Sequence, residues 1–129
     1  MEKKLILSAA IIGAVAIVLG AFGAHALKKI LTDSQLNTFE VGVRYQMYHA
    51  FFLLIVANLN FITLKDKTII MWLVIVGILL FSGSIYLLST NTITKIKTTF
   101  LGPLTPVGGL FLIASWLYLF YIALVKNTN

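Results

Sequence analysis

Tyr45-Gln46-Met47-Tyr48-His49-Ala50 opens an apolar run that continues to Leu64 without a charged residue. About 20 apolar residues carry an α-helix across a hydrocarbon core of ~30 Å. Only helices or closed barrels satisfy backbone groups at that depth, and this run shows no strand alternation. It therefore predicts a transmembrane helix with a glutamine and a histidine near its mouth. Working outward, three further apolar runs appear at residues 5–27, 68–89 and 105–126. The expected fold is an all-α membrane protein: a four-transmembrane-helix up-and-down bundle, with an amphipathic interfacial helix ahead of the second span. Residues 1–129 read as a single four-span domain, with the second helix running over residues 34–64.

Composition points the same way. Hydrophobic residues make up 60% of the chain and charged ones 11%, against about 25% charged in a soluble domain. The net charge of +6 comes from ten Lys and Arg scattered between apolar runs rather than gathered in a stripe. That distribution suits anionic lipid headgroups and not nucleic acid. Cysteine is absent, so no disulfide framework and no thiolate nucleophile is expected.

Residues 5–27 have a basic start and end near Ala24-His25-Ala26, which also fits a cleavable signal peptide. The patterning argues for a retained helix instead. Ala9, Gly13, Ala16, Gly20 and Gly23 recur at steps of three and four on one helical face, with Ile11, Val15, Val18, Leu19 and Phe22 opposite. Small residues let backbones approach in lipid, where packing drives association. Asp33 or Ser34 can cap the next helix, with Leu36, Phe39 and Val43 on its apolar side. Glu40 and Arg44 are spaced to pair. Lys65-Asp66-Lys67 reads as a short antiparallel link. Thr105 reads as an N-cap, with Pro106 in the first helical position. Trp116 sits well inside the last run and reads as apolar bulk.

At 100° per residue, Gly42, Gln46, His49, Leu53 and Asn60 share one side of the second helix, and small or polar residues face the bundle. Up-and-down connectivity then places His25, Gln46, His49, Ser82, Ser84 and Thr105 near one leaflet. These six are the candidate binding residues, converging on one polar pocket. For His49 the competing reading is a structural histidine bonded across helices; for Ser82 and Ser84 it is helix contact. Two histidines do not make a metal site, which needs three or four ligands. No G-x-S-x-G and no orienting acid accompanies the serines. Neither a catalytic residue nor a metal or other cofactor is expected.

Four ordered stretches carry a family resemblance: Gly20-Ala21-Phe22-Gly23-Ala24-His25-Ala26-Leu27, Tyr45-Gln46-Met47-Tyr48-His49-Ala50, Leu80-Phe81-Ser82-Gly83-Ser84-Ile85-Tyr86 and Gly102-Pro103-Leu104-Thr105-Pro106-Val107-Gly108-Gly109. Together the chain resembles the YgdD/YwdK-like family of small bacterial inner-membrane proteins, which has no assigned activity. The resemblance implies an uncleaved four-span protein and supplies no catalytic residues. Ala114-Ser115-Trp116 departs from it, since a glycine is expected before the tryptophan. That bears on helix packing rather than on the polar cluster.

Three functions follow as expectations. The first is a non-enzymatic binding or assembly module whose polar pocket contacts a lipid headgroup, a small ligand or a partner helix. The second is a small-molecule permease working as a homo-oligomer, although no acid sits inside a span to couple protons. The third is an intramembrane enzyme, which lacks a nucleophile–base–acid set. The partners expected are membrane lipids and a second copy of the chain. The location expected is the bacterial cytoplasmic membrane, with both termini on one side. The positive charges at the two ends nearly balance, and pairing of Arg44 with Glu40 tips the termini to the cytoplasm.

Overall fold

In a computed structural model the described residues, 2–126, form helices and connecting turns with no strand. Four helices are long: α1 (Glu2–His25), α2 (Asp33–Ala57), α3 (Leu64–Ser89) and, after two single-turn helices α4 (Asn91–Thr94) and α5 (Thr98–Leu101), α6 (Leu104–Val125). Three stretches are long and apolar enough to cross a membrane: Glu2–Lys29, Leu64–Ser89 and Thr98–Val125. α2 matches them in length with 25 residues, but its first half carries Asp33, Glu40 and Arg44.

Helix boundaries differ from the sequence expectation at four places, each for a local reason. Thr32, not Asp33 or Ser34, caps α2, in a reciprocal box with Gln35. Two otherwise orphan N–H groups are thereby satisfied. α2 stops at Ala57 rather than at residue 64, because Asn58 turns the chain and its side chain donates to Leu54 O at 2.8 Å. Asn60 therefore lies outside the helix. Thr63 then caps α3 by accepting from Asp66 N at 3.1 Å. Lys65-Asp66-Lys67 is thus the first turn of α3 and not a link. α6 begins at Leu104 after Pro103, with no side-chain cap. Thr105 and Pro106 fall inside its first turn, where N–H groups have no helical partner and proline is tolerated.

Neighbouring long helices run antiparallel. A methyl at Gly13 would lie 3.6 Å from Ala50, and one at Gly23 would lie 3.1 Å from the Phe39 ring, so α1 descends as α2 rises. Ala9, Ala16 and Gly23 are buried on that seam. The predicted small-residue face is therefore the contact with α2, while Ile11, Val15, Val18 and Phe22 are exposed. Leu19 instead joins a small core of Leu27, Leu31 and Phe39. The main core runs through all four long helices, from Leu5 and Ala9 through Leu53, Val56, Ile70 and Val74 to Leu112 and Ile122. α3 and α6 approach closely at Gly108, where any Cβ would collide with the backbone of Leu80 and Phe81.

Ser115 is fully buried in α6 and its hydroxyl donates to Leu112 O at 2.6 Å. The departure from the family pattern thus keeps a small residue at the packed face and satisfies its polar atom within its own helix.

Candidate polar layer and aromatic cleft

Gln46 is 5% exposed and ties three helices together. Its Nε2 donates to Ile12 O of α1 at 2.9 Å, and its Oε1 accepts from the Tyr86 hydroxyl of α3 at 2.6 Å. Beside it, the Ser82 hydroxyl donates to Gly42 O of α2 at 2.8 Å. Gly42 is obligatory here, because a methyl would stand 2.7 Å from the Tyr86 ring. On the far side of α3, Ser84 and Thr105 hydroxyls lie 2.5 Å apart, and Ser84 Oγ is 3.0 Å from Phe81 O. Phe81 O can only accept, so Ser84 donates there and Thr105 donates to Ser84. Gln46, Ser82, Ser84, Thr105 and Tyr86 therefore form one layer across the molecule.

His49 lies one turn deeper. It is 4% exposed, with Nδ1 2.7 Å from Tyr45 O and Nε2 3.1 Å from the Trp116 indole nitrogen. A carbonyl accepts and an indole N–H donates. The ring is accordingly the Nδ1–H tautomer, with both nitrogens engaged. Phe52 stacks on it at 6.1 Å and meets the Trp116 ring edge-on at 4.2 Å. A cleft of about 300 Å³ opens beside this pair, walled by Tyr45, Phe81, Gly109, Ile113 and Trp116 as well as His49.

His25 does not join. It is exposed in the last turn of α1. His49 follows the level of Gly13, which faces Ala50, so roughly 18 Å of helix axis separates the two histidines at 1.5 Å per residue. Counting depth from Tyr45 placed His49 near the membrane border. The pairing of Ala50 with Gly13, half-way along α1, instead carries His49 toward the middle of the molecule.

Sequence reasoning missed Tyr86 and Trp116 as polar partners. A tryptophan with a burying neighbour usually finds an acceptor for its N–H, but nothing in the spacing names which one. It also missed a second cluster at the opposite end. Lys67, 4% exposed at its side chain, reaches Glu2 Oε1 at 3.0 Å and Ala57 O at 3.0 Å. Asp66 accepts from Tyr118 at 2.7 Å and Thr63 at 2.8 Å and lies 3.4 Å from Lys126 Nζ. The start of α1 and the end of α6 thus meet at one end of the molecule. Glu40 and Arg44 pair at 3.5 Å on the exposed side of α2, as their spacing predicts.

Residues 19–109 match the family model described as "Protein of unknown function (DUF423)". The chain belongs to that family. DUF423 relatives include the UPF0382 membrane protein YwdK of Bacillus subtilis, 41% identical over 96% of this chain and 98% of that protein. The UPF0382 membrane protein SH2409 of Staphylococcus haemolyticus is 42% identical over 78% of each chain. A UPF0382 membrane protein of Haemophilus influenzae is 35% identical over 94% of each. No solved structure matches. This DUF423 chain is a helical membrane protein of a family without an assigned function.

Proposed function

We propose that this protein is a non-enzymatic binding or assembly module with four spans. α2 would be the fourth, its polar first half lying at the headgroups. Its occupant is a lipid headgroup, a small ligand or a partner helix, received at the cleft beside His49 and Trp116. The observation carrying this reading is the state of the polar groups. Among the described residues every buried side-chain nitrogen and oxygen has a partner, and both His49 nitrogens are engaged. Such a layer fastens helices and shapes a surface, and no group in it is held ready as a nucleophile or base. Charged residues lie outside residues 5–27, 45–64, 68–94 and 98–125, which supports binding over proton-coupled permeation. We place the protein in the bacterial cytoplasmic membrane with both termini at the cytoplasmic face, as a homo-oligomer.

The test is native mass spectrometry of the protein extracted with its own lipids. A bound molecule or second chain should be present in wild type and lost when Ile113→Trp fills the cleft. An unchanged set of bound species and an unchanged oligomeric mass would sink the proposal.

A further inference from the structure

A cavity of about 370 Å³ lies between α1 and α3, away from the His49 cleft. A second cavity of about 310 Å³ shares Ile11, Ile12, Ile78 and Leu79 with it, so the two form one continuous groove. α1 and α3 meet over only a short stretch, leaving the groove open along its length. It runs from Leu7 and Ile75 at one end to Leu19 and Tyr86 at the other.

Gly83 lies on its wall and is unlike Gly42, Gly77 and Gly108. A methyl at each of those three would press on a neighbouring helix, whereas one at Gly83 would meet nothing within 4 Å. Packing within the chain gives no reason for a glycine there, and glycine within a helix is disfavoured by about 1 kcal/mol relative to alanine. Its effect is to keep the groove open.

The groove asks for an apolar occupant. Gln46 and Tyr86 line it, but their groups are bonded to Ile12 O and to each other. The rims are bulky: Ile11 is 65% and Leu79 68% exposed. Close helix association in lipid uses small rims, so these hold another helix away while admitting a thin, flexible chain.

The end beyond Leu19 and Tyr86 is basic. The turn after α1 carries exposed Lys28 and Lys29, and the turns after α3 carry exposed Lys95 and Lys97. The acids toward this end are Asp33, in the first turn of α2, and Glu40, which pairs with Arg44. α1 continues roughly 9 Å along its axis from Leu19 to His25, and Lys28 and Lys29 follow within the next turn, a reach that suits a glycerol and the first methylenes.

We propose that the α1–α3 groove holds one acyl chain of an anionic phospholipid, whose phosphate is drawn to Lys28, Lys29, Lys95 and Lys97. This site is separate from the His49 cleft and does not rest on its occupancy.

The full-length protein is reconstituted in mixed phosphatidylglycerol and phosphatidylcholine vesicles, extracted gently and weighed by native mass spectrometry. One phosphatidylglycerol should be retained, enriched about tenfold or more over phosphatidylcholine, since each lysine near the surface contributes about a fivefold bias. Gly83→Leu should abolish retention of both lipids with the melting transition unchanged. Leu79→Trp, at an exposed position, is the second filling variant should Gly83→Leu fail to fold. K28E/K29E/K95E/K97E should erase the preference and keep one lipid of either kind. The proposal is overturned if folded filling variants keep the wild-type lipid, or if charge reversal leaves the preference intact. It is equally overturned if filling turns a dimer into a monomer without losing lipid, which would make the occupant a second copy. Ile113→Trp should leave this lipid in place, so failure of either reading is separately visible.

Discussion

The charged end of the molecule and the Gln46 layer deeper in join the same helices by opposite means. At one end the links are charged. Lys67 holds Glu2 and the last carbonyl of α2, and Asp66 holds Tyr118 and Lys126. At the Gln46 layer the links are neutral, made by an amide, hydroxyls and main-chain carbonyls. The difference follows from solvent. Glu2 is half exposed, so its charge remains hydrated, and Lys67 caps the carbonyl end of α2, where a cation meets the negative end of the helix dipole. Deeper in, an ion has no water, while a neutral hydrogen bond still avoids the several kcal/mol of an unpaired polar group in hydrocarbon. The charged end specifies which helix ends meet, and the neutral layer specifies how the helices face one another.

The largest test removes the support of both regions at once. Gly108→Leu drives a side chain into the backbone of Leu80 and Phe81 and should separate α6 from α3. We expect a loss of about 3 kcal/mol or more, read by equilibrium unfolding in micelles. The Ser84–Thr105 and His49–Trp116 contacts should fail together. A stable variant would show that α3 and α6 are held by their ends alone.

Gln46→Leu breaks the neutral layer by itself. It leaves the Tyr86 hydroxyl short of its acceptor and should destabilise by about 1–3 kcal/mol. Gln46→Leu with Tyr86→Phe removes both partners and should recover most of that loss, since matched apolar replacement is close to neutral. If the double variant is worse than the single, the layer contributes more than hydrogen-bond satisfaction.

Trp116→Phe keeps a ring against Phe52 while removing the donor to His49. A loss of about 1 kcal/mol is expected, with the imidazole tautomer visible by nitrogen NMR. An unchanged His49 spectrum would mean that Trp116 does not set the ring's state.

Lys126→Met gives the smallest effect, between about 0 and 1 kcal/mol, because this pair is partly exposed and screened. Raising salt to 1 M, where the Debye length is about 3 Å, should erase even that. The Gln46 variants should show the same losses at either ionic strength. Equal salt sensitivity in both regions would remove the distinction between them.

The sequence by itself determined the helices, the antiparallel order and the inward side of α2. These are local properties: apolar run length, the 3.6-residue period and the small-residue face from Ala9 to Gly23 are all carried by neighbouring residues. Gln46 and His49 were legible as buried because they share a helical face with Gly42 and Leu53. Helix ends were less legible, since several Thr, Ser and Asp stand near each start and only the folded chain shows that Thr32 and Thr63 accept the bonds. Tertiary structure alone decided who meets whom. His49 bonds to Trp116, 67 residues away, and Lys67 to Glu2, 65 away. Such pairs depend on axial register between helices, and a shift of one turn moves a side chain by ~5.4 Å. The seating of Gly13 against Ala50 and of Gly23 against Phe39 set that register, and with it put His49 deep in the molecule and left His25 at its rim.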